Sequence, residues 1–248
     1  MFIQIIFSLM KYLMFFLIAP LILSFAPRLD TGWISLFNGK NLDGWTIKCK
    51  PEDQSKNYWS VKDGYIEVNS LGDKNHDYIW LMTNKEYKDF SLKLKFAAFK
   101  ESPGNSGVQI RSRYDDVEGW LDGPQIDIHP QGPWRSGMIW DETRGMNRWI
   151  YPDIPKGEWV DESMREKVPD FYYSDNELQW NEIEITVKGW AVVSTLNGIK
   201  ITDFDSKELL NTEFHKKYKV GKKGNICLQL HIKDELKMYY KDIAIKEL

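Results

Sequence analysis

Ala191-Val192-Val193-Ser194-Thr195-Leu196-Asn197-Gly198-Ile199-Lys200-Ile201 decides the fold class. Two short runs rich in β-branched residues flank Asn197-Gly198, a dipeptide that supplies the positive φ angles of a type I′ turn. The stretch therefore reads as a β-hairpin. The same pattern lies upstream, where Tyr58-Trp59-Ser60-Val61 and Tyr65-Ile66-Glu67-Val68 flank Asp63-Gly64.

Further strands follow from period-two alternation. Phe90, Leu92, Leu94 and Phe96 alternate with Ser91, Lys93 and Lys95. Ile183, Ile185 and Val187 alternate with Glu184 and Thr186, and Ile226, Leu228, Leu230 and Ile232 with Cys227, Gln229 and His231. A last strand is expected around Ile243 and Ile245. After residue 26 no long stretch has a 3.6-residue period. Many short strands without alternating helices imply an all-β fold, a sandwich or jelly roll of antiparallel sheets, rather than a parallel α/β sheet. Residues 141–176 break the rhythm with Pro152, Pro155 and Pro169 and many charges. They read as an elaborate loop flanking a site, with a short helical turn near 162–167.

The first 26 residues are a different kind of segment. Lys11, an apolar run over 12–23 and then Ser24-Phe25-Ala26 read as a secretory signal peptide. The competing reading is a retained N-terminal membrane anchor, since residues 2–10 extend the apolar material. Export to the periplasm or outside the cell is the expectation, with 27–248 as a single domain. The 248 residues carry 33 basic and 36 acidic side chains, a net charge of −3. No clustered basic face suggests nucleic acid. Cys49 and Cys227 are the only cysteines. Export would permit a bridge between them, but two unpaired thiols are the expectation. Of the 11 Trp residues, Trp120, Trp134, Trp140, Trp149 and Trp159 fall within forty residues. Such density suits sugar stacking, and equally a large β core.

Candidate chemistry comes from asking which residues share a sheet face. In Val108-Gln109-Ile110-Arg111-Ser112-Arg113, strict alternation puts Val108 and Ile110 on one side and Gln109, Arg111 and Arg113 on the other. In Gln125-Ile126-Asp127-Ile128-His129 the polar side holds Gln125, Asp127 and His129, and the Ile226 strand adds Gln229 and His231. If these strands are neighbours, their polar sides make one surface of Arg, Asp, His and Gln. An ordinary solvated face is the alternative, although such faces are richer in Lys, Glu, Thr and Ser.

Leu36-Phe37-Asn38-Gly39-Lys40-Asn41-Leu42-Asp43-Gly44-Trp45 resembles the opening motif of the 3-keto-disaccharide hydrolase family. Trp59 to Ile66, Asp89-Phe90-Ser91-Leu92, Asn105-Ser106-Gly107-Val108 with Arg111, and Gly123 to Asp127 resemble its later motifs. Trp180-Asn181, Leu196-Asn197-Gly198 and 224–231 complete the order, so the likeness runs from about residue 33 to the C-terminus. Pro124 before Gln125, and Ile139-Trp140-Asp141-Glu142 in place of a Tyr-containing segment, depart from the commoner pattern. The resemblance implies a concanavalin-like jelly roll, two curved antiparallel sheets, acting on glycosides whose C3 hydroxyl has been oxidised to a ketone.

A C3 ketone acidifies the C2 hydrogen, so a modest base can remove it and the enolate can expel the C1 substituent. That route needs a base, a donor at the enolate oxygen and an acid at the leaving oxygen. The expected catalytic residues are Asp127 as base or acid, Arg111 at the oxyanion and Glu142 as a second carboxylate. Gln125, His231, Asp141, Gln109 and Trp140 are the expected substrate-binding residues, with Asp141 a further candidate for the second carboxylate. His129 fits a structural role as well as a functional one, whereas His76 and His215 read as solvated. Asp127, His129, Asp141 and Glu142 are candidate metal ligands, but they lack a tight ligand spacing, so no metal is expected, and no other cofactor is expected either. The partner is an oligosaccharide or glycoside. Two other readings stand beside this one. A non-catalytic carbohydrate-binding module would rely on exposed Trp. A conventional endo-glucanase would use Glu182 and Glu184, which read instead as a charged outer face.

Overall fold

The alternating runs pair in the register that their apolar faces demand, because a one-residue slip would turn every core side chain to solvent. The computed structural model describes residues 32–102 and 104–248. The segment read as a signal peptide or anchor lies outside these residues. Residues 32–248 form one compact unit of two antiparallel sheets.

One sheet runs in the order Ile199–Asp205, Ala191–Leu196, Asn181–Lys188, Phe90–Phe99, Lys237–Glu247, Tyr65–Asn69, Trp59–Lys62. Both hairpins appear as expected, with φ positive at Asp63, Gly64, Asn197 and Gly198. Leu92 lies opposite Ile185 and Leu94 opposite Ile183, all facing inward. On the outer side Lys93 and Lys95 oppose Glu184 and Glu182. Those two glutamates are therefore the charged solvent face of this sheet, not an acid pair in a cleft.

The second sheet runs Arg148–Tyr151, Ile139–Asp141, Pro124–Ile128, Ser106–Asp115, Asn225–Leu230, Ile79–Thr83, Trp45–Lys48. Val108, Ile110, Ile126, Ile128, Ile226, Leu228 and Leu230 point into the core between the sheets, each 1% exposed or less. Full burial of such a side chain contributes about 1.5–3 kcal/mol, so this inner layer fixes which way the polar residues between them face.

Two elements depart from the sequence reading. Helices Lys207–Leu210 and Glu213–Tyr218 are too short to leave a period in the sequence. The irregular region 141–176 contains an unexpected strand, Arg148–Tyr151, beside the expected helical turn, which lies at Glu162–Met164 and is capped by Asp161 accepting from Ser163 N at 2.8 Å. Cys49 and Cys227 are both free thiols.

Candidate active site

The three strands whose polar faces suggested a common surface are neighbours, with Ser106–Asp115 between Pro124–Ile128 and Asn225–Leu230. Gly107 lies opposite Asp127, and a Cβ there would sit 2.3 Å from Gln125 Cδ. The missing side chain lets the Gln125 amide lie across the strand. The Gln125 amide meets that of Gln109 on one side and donates to Asp127 Oδ1 at 3.3 Å on the other. The Gln109 amide also lies 3.3 Å from Trp80 Nε1 and 3.0 Å from Gln229 Nε2. This buried amide chain forms the floor beneath Asp127.

Above the floor is a cleft of about 540 Å³. Its polar lining includes Gln125, Asp127, His129, Arg135, Glu142, His231 and Asp234. Its aromatic lining is Tyr78, Trp120, Trp140, Trp149 and Trp159. Trp140 and Trp159 stack with centroids 5.1 Å apart and planes 9° apart, and Trp149 meets Trp140 edge-on. A polar floor beside aromatic walls matches a sugar ring, which has hydroxyl edges and apolar C–H faces.

The charges divide into two sets. Asp127, 2% exposed, accepts from Arg135 Nε at 2.7 Å, and the Arg135 guanidinium carbon lies 5.7 Å from the Trp149 ring centroid. On the other side His231 Nδ1 is 3.2 Å from Asp234 Oδ2, and its Nε2 is 3.1 Å from the Tyr78 hydroxyl. Burial opposes protonation of His231, but Asp234, and then Glu142, outweigh it and hold its pKa above the ordinary value. Glu142 is 6% exposed. Burial pushes its carboxyl up to about 7, with Asp141 and Asp127 adding to the rise and His231 and Trp140 opposing it. One carboxyl is thus poised near neutrality beside a histidine that favours its charged form, an arrangement suited to acid–base chemistry.

Arg111 is the main correction. Register with Asn225–Leu230 shifts where Cys227 pairs with Gln109 but Asn225 pairs with Ser112, so two residues of one strand oppose one of the other. Arg111 takes φ 51° within this bulge. The bulge resets the alternation: Gln109 before it and Tyr114 after it share the Trp80 side, while Arg111 swings away. Arg111 Nη2 donates to Asp89 at 2.8 Å, and its Nη1 and Nε donate to the Gly189, Gly221 and Lys88 carbonyls. It is a structural tie outside the cleft and cannot reach an oxyanion there. Arg113 also points away, pairing with Glu86 at 2.5 Å.

Asp141 also lies outside the cleft lining. It is fully buried and accepts from His215 Nε2 at 2.9 Å and from Thr143 N at 3.1 Å. Gln109 sits under the cleft rather than in it. Gln125, Asp127, Trp140, Glu142 and His231 do meet in one cavity. His215 and His76 are not solvated: they are 1% and 5% exposed. His215 bridges Thr212 and Asp141, while His76 lies between the Asp77 and Asp234 carbonyls.

Sequence reasoning passed over Arg135, Asp234 and Tyr78. Arg135 sits on the turn Pro133–Arg135, and Asp234 lies in the turn after Asn225–Leu230. Neither position has a period to reveal it. Tyr78 immediately precedes the Ile79–Thr83 strand, where alternation with Trp80 and Met82 was the available signal. Among the described residues, no group of three or more His, Cys, Asp or Glu side chains could hold a metal ion.

Fold and cleft together define a jelly-roll protein of the glycoside-hydrolase-like or carbohydrate-binding class. A family model described as the 3-keto-alpha-glucoside-1,2-lyase-like domain matches residues 32–246, and the chain belongs to that family, the 3-keto-disaccharide hydrolases. Among solved structures it is similar to a putative glycosyl hydrolase from Parabacteroides distasonis, at 21% identity and TM-score 0.57 over 88% of this chain and 94% of that one. A second putative glycosyl hydrolase from the same organism matches at 22% identity and TM-score 0.50, covering 87% and 99%. A carbohydrate-binding module from Bacillus subtilis matches at 9% identity and TM-score 0.51, covering 82% and 96%. At these identities the likeness concerns the fold alone. No curated protein matches.

Proposed function

We propose that the protein is an exported enzyme that cleaves 3-keto-glycosides, including 3-keto-disaccharides, by proton abstraction at C2 followed by elimination and addition of water. Glu142 carries the reading: its carboxyl, raised to about 7 by burial, is a far stronger base than an ordinary carboxylate yet still ionises at physiological pH. In its ionised form it takes the C2 proton of the keto sugar. The C2–H electrons form the enolate, and that enolate reforms the ketone as the C1–O bond breaks. Protonated His231 supplies the proton for the leaving oxygen through Tyr78: its Nε2–H donates to the Tyr78 oxygen, freeing the hydroxyl hydrogen to point into the cleft. Water then adds to the unsaturated sugar. Asp127, held by Arg135 and Gln125, binds hydroxyls as an acceptor, and Arg135 is the cation nearest that side of the cleft. The tryptophan walls hold the apolar ring faces.

A binding module without turnover is favoured by one observation, the exposed Trp159 stacked on Trp140 at the cleft wall. One assay separates the two readings. The purified protein is given a plain disaccharide and its 3-keto derivative, and products are identified. Cleavage of the keto form alone is expected. Binding of either sugar without turnover replaces the enzyme reading with the binding module, and cleavage of the plain sugar alone replaces the C2-abstraction route.

A further inference from the structure

With Arg111 tied outside the cleft, the developing enolate needs a different donor. His129 ends the Pro124–Ile128 strand and lines the cleft. The next turn folds back on it: Gly132 N–H donates to His129 Nδ1 at 2.8 Å and shares that hydrogen with the His129 carbonyl at 3.1 Å. A Cβ on Gly132 would lie 2.9 Å from Nδ1 and 3.1 Å from Trp134 Nε1, so a side chain there would push the His129 ring away. An Nδ1 that accepts a hydrogen bond has no proton of its own. In the neutral ring the proton must then be on Nε2. Among the described residues Nε2 has no hydrogen-bond partner.

We propose that His129 is a catalytic residue acting as a neutral imidazole, its Nε2–H donating to the C3 carbonyl oxygen of the substrate and to the enolate oxygen that replaces it. This rests on the reading above. The donor keeps its proton throughout, so no further proton transfer is added to the reaction. A neutral imidazole serves as an electrophile in this way when its surroundings suppress protonation. Here burial suppresses it first and the Arg135 guanidinium second, while the Asp127 and Asp234 carboxylates partly oppose them.

Two measurements test it. Long-range proton–nitrogen NMR spectra of the histidine-labelled protein at pH 7 are expected to show His129 protonated at Nε2 only. Its Nε2 signal is expected to shift on addition of a 3-keto-disaccharide. His129→Phe is expected to lower kcat about a hundredfold with KM within about threefold, the scale for losing one oxyanion donor. His129→Gln, which keeps an N–H donor, is expected to recover at least about a tenth of the parent rate. An imidazolium, an Nδ1–H tautomer, an unmoved Nε2 signal or a His129→Phe enzyme as fast as its parent would each overturn the assignment. A parent protein that turns over no 3-keto-glycoside counts against the preceding reading instead, and leaves the ligand-free tautomer to be judged on its own.

Discussion

His215 Nε2 lies 2.9 Å from Asp141 Oδ2, with the two side chains 1% and 0% exposed. Thr212 Oγ1 meets the other ring nitrogen at 2.8 Å. The chain of contacts ties the helix Glu213–Tyr218 to the strand residue immediately before Glu142. His215→Ala removes the partner of a buried carboxylate, which costs about 3 kcal/mol or more. Urea unfolding is expected to show that loss, and kcat is expected to fall because the segment carrying Glu142 loosens. An unchanged unfolding midpoint would remove His215 from this role.

Glu142 makes stability depend on pH in an unusual direction. The folded protein holds the Glu142 proton up to about pH 7, whereas an ordinary glutamate releases it near 4.5. Between those values the folded state binds more protons, so this group's contribution to stability declines as pH rises from about 4.5 to about 7 and is flat above. Glu142→Gln cannot ionise. At pH 8 it is expected to be more stable than the parent by up to about 3 kcal/mol while losing turnover. Denaturation at pH 5 and pH 8 checks the sign, since the gain must be small at pH 5.

The same two groups shape the rate profile. Glu142 must be ionised to abstract a proton and His231 protonated to donate one. The rate is therefore expected to rise through about pH 7 and to fall again as His231, held above its ordinary pKa by Asp234, loses its proton. Asp234→Asn is expected to move the alkaline limb to lower pH. A limb that stays in place means that His231 is not the acid.

Arg111 and Arg135 are expected to separate stability from chemistry. Arg111→Met removes the cation that ties Asp89 to the Lys88, Gly189 and Gly221 carbonyls, the last of them buried, and is expected to cost about 1–3 kcal/mol, with the rate per folded molecule little changed. Arg135→Met removes the ion-pair partner of Asp127, which is 2% exposed, and is expected to lower both stability and kcat/KM. Equal kinetic losses in the two variants would return Arg111 to the site.

Trp159 is 63% exposed yet stacks on Trp140 at the cleft wall. Trp159→Ala is expected to raise KM roughly three- to tenfold with kcat nearly constant, the range expected when one aromatic stacking contact is lost. Steady-state kinetics decide it: an unchanged KM means that the ring does not touch substrate.

The strands were legible because period two is written locally. The apolar partners of Gln125 and Asp127, and the turns at Asp63-Gly64 and Asn197-Gly198, announce themselves within a few residues. Those same patterns put Gln125, Asp127 and the approach to His231 on the polar sides of their strands, and the sheet order then made those strands neighbours. Alternation failed at Arg111, where one extra residue in the strand reversed the expected face. That bulge depends on partners far along the chain: Gly221 N binds the Arg111 carbonyl, and a Cβ on Gly224 would collide with its backbone.

The sequence by itself determined the β architecture, the inner and outer faces of its unbulged strands and the motif order of the family, since each is carried by neighbours within a few residues. The tertiary structure alone decided that Arg135 rather than Arg111 pairs with Asp127, that His215 is buried against Asp141, and that Trp140 and Trp159 form one wall. Those contacts join loops and helices distant in sequence, where no period exists and burial is set by what packs opposite.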